Sequence, residues 1–193
     1  MTTTILVLGD SVPAGETTAA TPWPRRLPSI VDGLEDARVE MRGGMGTTLA
    51  DLAHEVEQEI ESVSSGGDRT VVFVHAGHND VQLRGEEPRV REERFRAAAA
   101  RADSALSDHP SVDRHAFVGL VPLLPGYDVS FADAQPERSL AYDDALAETV
   151  DDHLPVARPV DAWHDRTADG VHPDREGHTA IAERVGVWLA GRE

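Results

Sequence analysis

The chain has 193 residues, which is long enough to bury a sizeable core, and we predict a single domain over residues 1–193. It contains no cysteine, which excludes disulfides, thiolate nucleophiles and cysteine-based zinc sites. The 35 Asp and Glu residues outnumber 18 basic residues, all of them arginine, and the formal net charge is -17. So acidic a surface repels nucleic acid and anionic membranes, and we expect neither as a partner.

The same acidity suggests a habitat. In dilute buffer the excess negative charge destabilises the compact state, whereas molar salt shortens the Debye length to about 3 Å and screens the repulsion. We therefore hypothesise adaptation to a saline cytoplasm. No apolar run reaches the length of a membrane span, and the residues after Met1 lack the pattern of a secretory signal, so a cytoplasmic location is expected. The sequence leaves the oligomeric state open.

Strands alternate with helices along the chain. The predicted strands cover residues 3–8, 37–41, 70–76, 115–121 and 156–160. The predicted helices cover residues 23–34, 48–63, 88–107, 139–153 and 174–190. Residues 13–24, 42–47, 122–137 and 161–172 are predicted loops. This alternation predicts an α/β fold, namely a doubly wound, five-stranded parallel sheet of flavodoxin-like order with helices on both faces.

Four short blocks follow predicted strands or precede the last helix. They are Gly9-Asp10-Ser11, Gly46, Gly77-His78-Asn79-Asp80 and Asp169-Gly170-Val171-His172. In an open α/β sheet, ligands bind beyond the carboxyl ends of the strands. We therefore expect these blocks to meet at one edge of the sheet and to form a site there.

Several common motifs are missing from the sequence. There is no Gly-x-Ser-x-Gly elbow, and a chain without lysine has no phosphate-binding Gly-Lys-Ser loop. The glycines at 44 and 46 lack the third glycine of a dinucleotide fingerprint, and no cofactor is expected. His54-Glu55 is not followed by the second histidine of a metalloprotease helix.

The remaining residues fit acyl transfer to a serine. Ser11 is a weak nucleophile unless a base takes its proton, and His172 is the candidate base because imidazole titrates near neutral pH. Asp169, three residues earlier, can accept the other ring N–H and fix the tautomer. These three residues are therefore the predicted catalytic set.

Taken together, the four blocks resemble the SGNH (GDSL-type) hydrolase family of serine esterases, lipases and acyltransferases. The resemblance runs from Gly9 to Gly177-His178, although Val12 replaces the leucine of the name-giving tetrapeptide. It implies an oxyanion hole formed by the backbone N–H groups of Ser11 and Gly46 and by the side-chain amide of Asn79. Gly44 is the alternative donor, but the spacing to Thr48 favours Gly46.

Three further residues are predicted to support the site. Asp10 is expected to brace the turn at Ser11, and Asp80 to brace the loop that presents Asn79. His78 is expected either to line the pocket or to face solvent. His75 lies inside a strand and is predicted to be a satisfied core histidine.

These observations support three functional hypotheses. The first is a serine esterase that acts on small acyl esters, with acetylated sugars as the narrower candidate. The second is a non-catalytic ligand-binding module on the same scaffold. The third is a metal-dependent hydrolase with ligands among His75, His78, Asp80, Asp169 and His172.

The predicted loop over residues 122–137 is interpreted as a substrate rim or a lid, because long loops in compact domains are usually functional. Its apolar side chains fit contact with a substrate and anchoring of the loop equally well. They are Leu123, Leu124, Tyr127 and Phe131.

Overall fold

A computed structural model describes residues 2–63, 69–84, 86–125 and 136–191. The strands are β1 Thr3–Asp10, β2 Arg38–Gly44, β3 Arg69–His75, β4 Leu83–Arg84, β5 Glu87–Pro88, β6 Arg114–Val118 and β7 His153–Leu154. The α-helices are α1 Ser11–Ala14, α2 Leu27–Ile30, α3 Leu49–Val63, α4 His78–Val81, α5 Glu92–Asp108, α6 Pro136–Ala147 and α7 Arg175–Ala190. Two 3-10 helices cover Trp23–Arg26 and Val160–Asp165.

Five of these strands form one parallel sheet with the spatial order β2-β1-β3-β6-β7, and β4 pairs with β5 in a separate small hairpin. This order confirms the predicted five-stranded, doubly wound α/β fold. Consecutive side chains of a strand point to opposite faces of the sheet, and in the central strands both sets are buried. Ile5 and Val7 belong to one core cluster, whereas Leu6 and Leu8 belong to the other.

Helices cover both faces of the sheet. Helices α3, α5 and α6 supply buried side chains to the cluster on one face. Helix α7 and the segment from Trp23 to Val31 supply those on the other face, including the fully buried Leu27 and Ile181. Among the described residues, no helix is both long enough and apolar enough to cross a membrane.

The last strand and the helix before it differ from the prediction. The fifth strand of the sheet is His153–Leu154 and not residues 156–160. Pro155 follows it directly, and a proline has no N–H with which to continue a ladder. The predicted helix 139–153 begins earlier, at Pro136, and ends at Ala147.

Prolines and a glycine also alter two other predicted helices. The predicted helix 23–34 is a 3-10 turn followed by a single α-turn that ends at Ile30, shortly before the positive-φ Gly33. The predicted start at Pro88 is wrong because this residue pairs with Leu83 in the hairpin, and α5 begins at Glu92. Helices α3 and α7 agree with the prediction to within one residue.

Candidate active site

Ser11 lies at the carboxyl edge of the sheet, where β1 passes directly into α1. Asp10 caps this short helix, because its side chain accepts a hydrogen bond from the Val12 N–H at 3.0 Å. Ser11 is therefore the first helical residue, and it is 7% exposed. Its Oγ lies 3.0 Å from His172 Nε2.

His172 and Asp169 form the second contact of this set. Nδ1 of His172 lies 2.6 Å from Asp169 Oδ2, and Asp169 Oδ1 accepts the backbone N–H groups of Val171 and His172 at 3.0 and 2.8 Å. Because an ionised carboxylate only accepts hydrogen bonds, Nδ1 carries the proton and Nε2 faces Ser11 with its lone pair. The structure thus brings together all three residues of the predicted catalytic set.

The Asp169 carboxylate is held in its ionised form. Partial burial acts to raise its pKa, but the hydrogen bonds from His172 and Val171 outweigh burial and lower the pKa of Asp169 below its ordinary value. The loop itself is fixed by backbone bonds from Ala168 N to His172 O and from Leu124 N to Gly170 O, at 2.9 and 2.8 Å. The position of His172 is therefore set by tertiary contacts as well as by the start of α7.

A tight turn lies beside Ser11, between β2 and α3. The Thr47 N–H donates to Gly44 O at 3.1 Å, Gly46 has φ +79°, and Met45 has a negative φ. This combination defines a type II turn with Gly46 at its third position. Among the described residues, no group accepts the Gly46 N–H.

Asn79 reaches the same turn from the end of β3. Its amide Nδ2 donates to Thr47 O at 3.0 Å and retains a second hydrogen for another acceptor. Gly44, the alternative to Gly46, is the last residue of β2 and pairs with Asp10 in the ladder. The site therefore offers an oxygen nucleophile, a base oriented by a carboxylate, and N–H groups next to the nucleophile.

Comparison with known proteins identifies the chain. The model of the GDSL-like lipase/acylhydrolase family matches residues 7–180. The chain belongs to this family. It is accordingly a carboxylic ester hydrolase. No curated protein gives a significant sequence match.

Solved structures with the same fold include other esterases. An acetyl xylan esterase, AlAXEase, is 17% identical with a TM-score of 0.72, over 97% of this chain and 98% of that one. Est24, a carbohydrate acetylesterase from Sinorhizobium meliloti, is 12% identical with a TM-score of 0.72, over 97% and 98%. LAE5, an α/β-hydrolase enzyme from the metagenome of Lake Arreo, is 18% identical with a TM-score of 0.69, over 97% and 94%.

In this hydrolase His78 is buried, so the predicted alternative that it faces solvent is wrong. The side chain is 2% exposed and links two loops. Nδ1 lies 2.8 Å from Asp10 Oδ2, and Nε2 accepts the Val121 N–H at 3.1 Å. Asp10, fully buried, thereby joins the turn at Ser11 to the residue that precedes Asn79.

Asp80 links the residues after β3 to α3. Its Oδ2 accepts the Leu49 N–H at 2.9 Å, at the first turn of that helix. The residue is fully buried, and burial raises the pKa of its carboxyl to about 7. Asp80 thus braces the loop of Asn79, as predicted, by holding it against the neighbouring helix.

The five residues of the metal hypothesis are not gathered into one donor set. His75 is buried in the core, and its Nδ1 accepts the Trp23 indole N–H at 3.0 Å. Burial lowers the pKa of His75 to about 3. Within the described ranges, no group of three or more His, Asp or Glu side chains is placed to hold a metal ion.

Two features near the site were not singled out in the sequence. Thr47 receives the Asn79 amide, and Arg89 donates from Nη1 to Gly46 O at 2.8 Å. No local sequence signal marks either residue, because both act across long stretches of chain. Of the predicted rim, Leu123 and Leu124 are buried anchors, whereas residues 126–135 lie outside the described residues.

Proposed function

We propose that this hydrolase is a serine esterase with Ser11 as its nucleophile. The observation that carries the proposal is the continuous pair of contacts Ser11 Oγ–His172 Nε2 and His172 Nδ1–Asp169 Oδ2, at 3.0 and 2.6 Å. A hydroxyl bonded to a correctly protonated imidazole is the arrangement that activates a serine.

In the proposed first step, Ser11 Oγ attacks the ester carbonyl carbon while its proton passes to His172 Nε2. Asp169 stabilises the resulting imidazolium. The tetrahedral intermediate then collapses, and the alcohol leaves with the proton from His172. In the second step His172 takes a proton from water, and the resulting hydroxide attacks the acyl carbon. The bond to Ser11 Oγ then breaks, His172 returns the proton to Ser11, and the acid is released.

The negative charge on the carbonyl oxygen needs donors near Ser11. We assign this role to the N–H groups of Ser11 and Gly46 and to the Asn79 amide. The support for Gly46 over Gly44 is its place in the type II turn, which leaves the Gly46 N–H without an acceptor among the described residues. The support for Asn79 is its hydrogen bond to the same turn, which orients the amide.

We further propose small acyl esters, and acetyl esters in particular, as the substrate class. Two proteins of similar fold are described as an acetyl xylan esterase and a carbohydrate acetylesterase. Acetylated sugars are therefore the first natural substrates to test, next to p-nitrophenyl acetate.

The test is fluorophosphonate labelling in molar KCl, with the adduct mapped by mass spectrometry. We expect a single adduct on Ser11 in the wild type and a loss of labelling in His172→Ala. His164→Ala is the matched control, because His164 is an exposed histidine and should label like the wild type. A folded wild-type protein that is not labelled would reject the serine mechanism and favour the non-catalytic module.

A further inference from the structure

The turn that carries Gly46 is bound by side chains of one neighbouring segment, residues 79–84 and 86–89. Three side chains of this segment bind successive backbone groups of the turn and of the helix after it. Arg89 donates to Gly46 O, Asn79 donates to Thr47 O, and Asp80 accepts from Leu49 N, at 2.8, 3.0 and 2.9 Å.

Arg89 itself is fixed by backbone bonds. Its N–H donates to Gln82 O at 2.7 Å, and the next residue, Val90, donates its N–H to Asp80 O at 3.0 Å. The Tyr142 hydroxyl in turn donates to Val90 O at 2.6 Å. The half-buried side chain of Arg89 therefore extends from an anchored backbone to the Gly46 carbonyl.

From this geometry we propose that Arg89 is a positioning residue for the oxyanion hole, which deepens and rests on the proposed function. The Gly46 carbonyl belongs to the peptide that follows the proposed donor. When Arg89 holds that carbonyl and Asn79 holds the next one, the Gly46 Cα and its N–H cannot shift away from the acyl carbonyl. The positive charge also favours the negative charge that develops on the oxyanion.

One carboxylate of α3, Asp51, lies near the Arg89 guanidinium. Asp51 lies in the first turn of α3, close enough for Arg89 and Arg94 to affect its titration. Hydrogen bonds from Thr48 lower the pKa of Asp51 most, and the two guanidinium charges lower it further. The Arg89 guanidinium therefore binds the Gly46 carbonyl and lies within electrostatic range of a carboxylate.

The test compares Arg89→Met, Arg89→Lys and Arg94→Met. Arg94, in the first turn of α5, is the matched control, because its charge also acts on Asp51 but it donates no hydrogen bond to the Gly46 turn. For each variant, kcat and KM are measured with p-nitrophenyl acetate in molar KCl, together with the rate of fluorophosphonate labelling and the folded fraction.

We expect Arg89→Met to lose roughly 10-fold in kcat, less than the roughly 100-fold that loss of an oxyanion donor costs, with KM nearly unchanged. Arg89→Lys should recover most of the loss because an ammonium can donate to the same carbonyl. Arg94→Met should match the wild type. If Arg89→Met fails to fold, Arg89→Gln replaces it, since its amide is too short to reach Gly46.

Three results would overturn the proposal. Equal kcat in Arg89→Met and the wild type would reject the role of Arg89 but leave the proposed serine mechanism standing. A raised KM confined to esters that bear a carboxylate, such as 4-nitrophenyl succinate, would assign Arg89 to substrate binding. Absence of Ser11 labelling in the folded wild type would reject the serine mechanism itself, and the role of Arg89 with it.

Discussion

Replacing Gly46 with alanine tests the backbone conformation of the proposed oxyanion hole without a steric clash. A Cβ added at this position meets no atom within 4 Å, so the substitution causes no clash. Its cost arises from φ +79°, a left-handed conformation that L-residues avoid by roughly 1–2 kcal/mol. An L-residue at the third turn position favours type I over type II geometry.

The change from type II to type I rotates the peptide between Met45 and Gly46 and turns the N–H of residue 46 away. Loss of one oxyanion donor costs about 100- to 1000-fold in kcat, or roughly 3–4 kcal/mol of transition-state stabilisation. Gly33→Ala is the matched control. Gly33 has φ +82°, its added Cβ also meets nothing, and it lies in the loop before β2.

The assay measures kcat for p-nitrophenyl acetate and the unfolding midpoint of both variants in molar KCl. We expect similar losses of stability, with a fall in kcat confined to Gly46→Ala. If Gly46→Ala loses stability like Gly33→Ala but keeps full kcat, the Gly46 N–H is not an oxyanion donor. Gly44→Ala, measured in parallel, then tests the alternative donor.

Three further predictions concern the buried network and the surface. His78→Leu removes the only side-chain donor that the described residues give the buried Asp10 carboxylate, which keeps the backbone N–H groups of Val12 and residue 78. The change should cost about 3 kcal/mol of stability and slow Ser11 labelling, whereas His78→Gln should retain more of the stability and of the labelling rate. Equal effects of the two substitutions would contradict this role. Because the pKa of Asp80 is raised to about 7, its contribution to stability is present below about pH 4 and lost as pH rises toward 7. As pH rises between those values, Asp80→Asn should therefore gain stability relative to the wild type, by at most roughly 4 kcal/mol. Denaturant titration measures this difference in the free energy of unfolding. A difference that stays constant with pH would contradict the raised pKa of Asp80. The unfolding midpoint should rise from low to molar KCl, and a flat curve would reject the saline-cytoplasm hypothesis.

The sequence predicts the positions of Ser11, Asn79 and His172 because each follows a recognisable boundary. An apolar run ends three residues before each of the first two, and a helix begins three residues after the third. Parallel strands place their carboxyl ends at one edge, so three short motifs suffice to locate the site. Asp169 follows from local spacing alone, since it binds a residue three positions away.

The partners of His78 and Arg89 could not be predicted in this way. His78 binds a carboxylate 68 residues earlier, and Arg89 binds a carbonyl 43 residues earlier. Such pairs depend on the angle at which two loops approach, which periodicity does not encode. The short β7 has a local cause, Pro155, but the register that makes His153 its first paired residue is set by β6.

The segment that follows β3 links the parts of the site. His78 joins it to the nucleophile through Asp10, Asn79 and Asp80 join it to the turn and to α3, and Arg89 closes the contact at Gly46. The Ser11–His172 contact, in contrast, spans 161 residues and forms only when β1 and the loop before α7 are both in place. Loss of the Asn79 and Arg89 contacts to the Gly46 turn should therefore misplace the proposed oxyanion donors while leaving the Ser11–His172 contact intact. The proposed activation of the serine and the proposed stabilisation of the oxyanion rest on different contacts. Variants of His172 and variants of Arg89 should therefore affect labelling and kcat to different degrees.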